Sequence, residues 1–68
     1  MTRHVRRQVM KEALRLSFDT KKLTYALIKG DDYVITQDEK EKSHLIGGQS
    51  YRLYAKCKDG RLVFHWDE

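Results

Sequence analysis

The chain has no proline, one cysteine, one tryptophan and four glycines. With no proline, no helix or strand is broken from within by a missing amide donor. The lone Cys57 excludes an internal disulfide, so a stapled secreted scaffold is out and a reducing, cytoplasmic setting is expected. No run approaches the ~18 apolar residues of a membrane span. The N-terminal bases have no apolar segment behind them, which argues against a signal peptide. Sixty-eight residues suit one small domain, 1–68. A chain of this size buries only about 60% of its unfolded surface, so a deep cleft is hard to build.

Chemistry-bearing motifs are scarce as well. The candidate metal ligands His4, His44, Cys57 and His65 stand in no C-x₂-C or H-x₃-H arrangement. Ser17, Ser43 and Ser50 lie at turns or element ends without a G-x-S-x-G, and no G-K-[ST] follows Gly47-Gly48. No catalytic residue, metal or cofactor is expected, and the protein reads as a binding protein rather than an enzyme. Cys57 reads as a small core side chain.

Acid is scarce in one half only. Residues 1–30 hold eight Lys/Arg and two Asp/Glu, a balance of +6; the rest holds six against eight, a balance of −2. Such asymmetry speaks to partners rather than to fold. Hydrophobic residues make up 40% of the chain and are patterned, so the chain folds.

Residues 3–17 have helical period. Val5, Val9, Ala13 and Leu16 fall on one arc, widened by Met10 and Leu14. His4, Arg7, Gln8, Lys11, Glu12 and Arg15 fall opposite. Thr2 is in place for an N-cap. From residue 23 the period becomes two: Leu23, Tyr25 and Leu27 face one way, Thr24, Ala26 and Ile28 the other. Gly30-Asp31-Asp32 signals a turn, and residues 33–36 pair back as a hairpin. Residues 37–44 hold no apolar side chain and read as a solvated loop or short charged helix. Leu45-Ile46 then plugs the core or forms a short strand before Gly47-Gly48 breaks regularity.

Asp59-Gly60 is a preferred type I′ hairpin turn. In register it sets Lys58 opposite Arg61, Cys57 opposite Leu62, Lys56 opposite Val63, Ala55 opposite Phe64, Tyr54 opposite His65, Leu53 opposite Trp66 and Arg52 opposite Asp67. One face is then apolar, and the other carries Arg52, Tyr54, Lys56 and His65. The expected fold is α+β: one N-terminal amphipathic helix packed on a four-stranded, mainly antiparallel sheet, in the order α-β-β-β-β. The aromatic residues belong mostly to its core by alternation.

Two surfaces invite partners. Arg7, Lys11 and Arg15 recur at i, i+4, i+8, with Arg3 and Arg6 at the same end of the helix. Like charges at that spacing oppose helix formation by about 0.2–0.5 kcal/mol per pair, so an anionic partner is the functional reading. Nucleic-acid phosphate is the commonest polyanion, and bases of this kind position a protein on it without reading sequence. The bland alternatives are a solvated ridge, or one neutralised by Asp38, Glu39 and Glu41 folding across it. The stem of Arg6 points nearer the apolar arc and can run over the core edge. Arg52, Tyr54, Lys56 and His65 form the second surface, an open sheet face or edge. Bases beside an aromatic ring suit stacking of single-stranded bases, but with one or two rings the bland reading is cross-strand pairing of Arg52 with Asp67 and Tyr54 with His65. The partner reading is an acidic protein surface or a second copy of the chain.

Overall fold

A computed structural model describes residues 3–66; Thr2 and Asp67, expected above as an N-cap and a cross-strand partner, lie outside them. The elements are α1 (Arg3–Thr20), β1 (Thr24–Lys29), β2 (Asp32–Thr36), α2 (Glu39–Gly48), β3 (Arg52–Lys58) and β4 (Arg61–His65). The four strands form one sheet in the order β2-β1-β3-β4, with every neighbouring pair antiparallel. The fold is α+β as expected, but it has two helices, and the order α-β-β-β-β is corrected to α-β-β-α-β-β.

The second helix is built from capping rather than from an apolar stripe. Asp38 has extended backbone and its side chain accepts from the Lys40 amide at 3.0 Å, which makes it an N-cap. Glu39 and Glu41 in the first turn suit the positive end of the macrodipole, and Lys42 pairs with Glu39 at 2.7 Å one turn on. Leu45 is its buried anchor. Gly47 and Gly48 sit in the last turn, where fraying limits their helix penalty. The Leu45 carbonyl then accepts from both Gln49 and Tyr51 amides at 3.1 Å, closing the helix.

Because β2 and β3 both run opposite to β1, they run parallel to each other, and α2 is the crossover between them. Each sheet face therefore has a helix. On one face, Val9 and Ala13 of α1 join Ala26, Ile28, Tyr54, Ala55 and Cys57 in the core. On the other, by alternation, lie Tyr25 and Leu27. There the Tyr25 hydroxyl donates to Glu39, and the Lys42 ammonium stands 4.7 Å from the Tyr25 ring centre. A helix on each side explains why β1 is buried at every position from Thr24 to Ile28.

The buried stripe of α1 is Val9, Ala13 and Ser17, all fully inaccessible, while Leu16 is exposed and Val5, Met10 and Leu14 are half-buried at the flank. Lys21 ends the helix in the left-handed region at φ 59°, its amide bonded to the Ser17 carbonyl at 2.9 Å. Phe18, expected inside with the other aromatics, is 57% exposed.

Asp59 and Gly60 take φ values of 54° and 76°, the two positive values a type I′ turn requires. The expected register holds for Lys58–Arg61 and Cys57–Leu62 and then slips by one, to Lys56–Phe64 and Ala55–His65. Val63 is the extra residue of this bulge. A second irregularity takes β1 from Ala26–Ala55 to Leu27–Leu53 and leaves Tyr54 as the extra residue. The clean division of the C-terminal hairpin into an apolar and a polar face is thereby overturned: Tyr54 is buried, and Leu62, Val63 and Phe64 are exposed.

Candidate nucleic-acid interface

The outer side of α1 is set by the inner one. With Val9, Ala13 and Ser17 turned into the sheet, helical geometry places Arg7, Lys11 and Arg15 on the opposite ridge. All three are exposed, as is Arg3. His4, Arg7, Gln8, Lys11, Glu12 and Arg15 together line one surface depression along the helix. Arg6 is half-buried and engaged within the chain, so it stands apart from the ridge.

Among the described residues, few carboxylates compete for these cations, and the side chains of Arg7 and Lys11 form no ion pair or hydrogen bond. Arg15 approaches Asp19 at 4.0 Å with both side chains mostly in water, a contact worth little. Glu12 is held elsewhere: its carboxylate accepts from the Tyr33 hydroxyl at 3.0 Å, and Gln8 Nε2 comes to 3.5 Å. That hydrogen bond to a carboxylate raises the Tyr33 phenol above its ordinary pKa. Asp38, Glu39 and Glu41 do not fold over the ridge. They belong to the cap and first turn of α2, and share a depression with Leu16 and Lys22 past the end of the ridge.

The macrodipole adds to the field. The first turn of α1 contains no acid and the last turn no base, so Arg3, Arg6 and Arg7 sit at the end that already carries a partial positive charge. The charges that work against the helix are the ones that strengthen it as an anion site.

The second sequence-derived surface is divided. Tyr54 is 6% exposed and meets the ring of the exposed His65 edge-on at 5.0 Å, so the expected contact forms with one partner in the core and the other on the edge strand. His65 pairs with Ala55 on the α1 side. Lys56 pairs with Tyr25 and Phe64 on the α2 side. The Arg52 guanidinium lies 5.5 Å from the Trp66 ring centre. The bulges at Tyr54 and Val63 are the reason these four side chains do not share a face.

The expected strand forms at β4, but the sequence does not foretell the exposure of its apolar residues. This edge strand is exposed at every position, with Leu62, Val63 and Phe64 at 47%, 61% and 42%. No sequence signal marks the slip that turns them outward.

Cys57 is fully buried, and burial raises its thiol pKa, which suits a core side chain. Among the described residues, no group of three or more His, Cys, Asp or Glu side chains is placed to hold a metal ion, and no helix is long and apolar enough to cross a membrane. Comparison with protein-family models, with curated proteins and with solved structures found no match.

Proposed function

We propose that this chain is a small non-enzymatic binding or regulatory protein of the cytoplasm that contacts nucleic-acid phosphates through the outer ridge of α1. The observation that carries the reading is the exposure of Arg7 and Lys11 without a carboxylate partner among the described residues. Arg15 and Arg3 extend the same positive strip, and Arg6 adds to the field from its edge. Cations spaced along a ridge neutralise phosphates and release counterions, which gives affinity that is indifferent to sequence and sensitive to salt.

Fluorescence anisotropy with a labelled oligonucleotide tests this. Binding at low salt that weakens steeply as salt rises supports the reading. A flat titration up to about 100 μM protein at low salt, where phosphate contacts are strongest, removes it.

A second reading is favoured by one observation, the exposed Leu62-Val63-Phe64 edge of β4, where a protein partner or a second copy of the chain can add a strand. Sedimentation velocity separates self-association from a monomeric module.

A further inference from the structure

Resting on the phosphate-binding reading, we infer that the α1 ridge is built for the backbone of a duplex rather than for a single strand.

The first reason is spacing on a rigid rod. Arg7, Lys11 and Arg15 are each four residues apart within one uninterrupted helix, so successive cations advance about 6 Å along its axis and the three span about 12 Å. Successive phosphates of one strand rise ~3.4 Å along the duplex axis while also turning about it, so neighbours lie farther apart than that rise and a rod of about 12 Å laid along the strand meets about three of them. Charge is thus matched nearly one to one, and both arrays are regular before they meet. A single strand would have to be ordered to offer the same array, at a cost in conformational freedom.

The second reason is the lack of a stacking platform beside the ridge. Proteins that hold single strands combine a basic track with aromatic rings on which bases stack. Here the rings nearest α1 are engaged or lie past the end of the ridge. Tyr25 and Tyr54 are buried, and the Tyr33 hydroxyl is bonded to Glu12. Phe18 is 57% exposed, but it is a single ring past the end of the ridge, with the Lys21 ammonium 3.9 Å from its ring centre and Gly60 beside it. Phe64 pairs with Lys56 on the α2 side of the sheet, across from the ridge. Among the residues lining the ridge the His4 imidazole is the one ring, so no run of rings lies beside the cations.

The third reason is access. Every residue from Arg7 to Arg15 that points away from the sheet is exposed, so the strip lies open along its length to a long, stiff ligand.

The experiment titrates the full chain against a mixed-sequence duplex of about 16 base pairs and against one of its strands, chosen to form no hairpin, over about 20–200 mM salt. A variant with Arg7→Gln, Lys11→Gln and Arg15→Gln is run in parallel; circular dichroism checks that it folds, as expected for three exposed sites. The duplex is expected to bind at least about fivefold more tightly than the strand, with a slope of log affinity against log salt near −2.7 from three phosphates. The triple variant should lose most of that slope. Equal or tighter binding of the single strand, lost in the variant, overturns the duplex inference and leaves the phosphate reading standing. No binding to either ligand, or binding that the variant retains in full, overturns both. If the triple variant fails to fold, Lys11→Gln alone replaces it and should reduce the slope by about 0.9.

Discussion

The Ser17 hydroxyl accepts a hydrogen bond from the Gly60 amide at 3.1 Å while donating its own proton to the Leu14 carbonyl at 2.8 Å. One fully buried hydroxyl thus joins the last turns of α1 to the β3–β4 hairpin, 43 residues away in sequence. Ser17→Ala leaves the Gly60 amide without its partner in a part-buried position. Urea denaturation should show a loss of about 1–2 kcal/mol. A loss near zero would mean that water replaces the hydroxyl there.

Gly60 is fixed twice over. Its φ of 76° disfavours any side chain, and a Cβ added there would lie 2.9 Å from Phe18 Cδ2. Gly60→Ala should cost about 1–3 kcal/mol from the combined backbone strain and overpacking. Pairing it with Phe18→Ala should recover most of the steric part, which a double-mutant cycle reads as the coupling between the two sites, and leave the backbone part.

The α2 helix depends on its cap and on one apolar anchor. Asp38→Ala removes the side-chain acceptor for the Lys40 amide and should cost about 1 kcal/mol. Leu45→Ala should cost about 2–3 kcal/mol, since Leu45 is the buried residue of the helix. Amide exchange should show the residues of α2 losing protection before the sheet does in both variants.

These two helices show what the sequence makes legible. The α1 stripe is readable because Val9 and Ala13 repeat at helical spacing over a long segment. The α2 segment has one anchoring leucine and ends on two glycines, so periodicity has nothing to register, and only the Asp38 cap with its first-turn acids marks it. Its place was nonetheless implied by β1, whose two apolar faces each need a cover. The Asp59-Gly60 turn was readable from local chemistry, and the two bulges beyond it were not, because Tyr54 and Val63 are placed by packing rather than by propensity. Of the candidate site, the positions of Arg7, Lys11 and Arg15 followed from the helix, whereas the diversion of Glu12 to Tyr33 joins residues 21 apart in sequence.

Acid should weaken the tie between α2 and the sheet. The Glu39 carboxyl is held below its ordinary pKa, first by the hydrogen bond from Lys42 and next by that from Tyr25. A carboxylate with a lowered folded pKa stabilises the fold above its unfolded pKa, and that contribution disappears as pH falls through the folded value. The melting temperature of the wild type should exceed that of Glu39→Gln at neutral pH. The gap should narrow steadily below the ordinary carboxylate range. A gap that stays constant into acid would show that the Glu39 charge is not the source. At the alkaline end the sign reverses. The Tyr25 phenol is raised by the same hydrogen bond, so its contribution is present below the ordinary phenol pKa and is lost as pH rises through the folded one.

The most direct measurement is an amide and side-chain NMR titration of the labelled protein with the duplex described above. The account predicts that perturbed signals concentrate in α1, with the Arg7 and Arg15 guanidinium Nε and the Lys11 ammonium group shifting most, and that β4 stays still. Perturbations gathered on Leu62, Val63 and Phe64, with α1 unchanged, would contradict it.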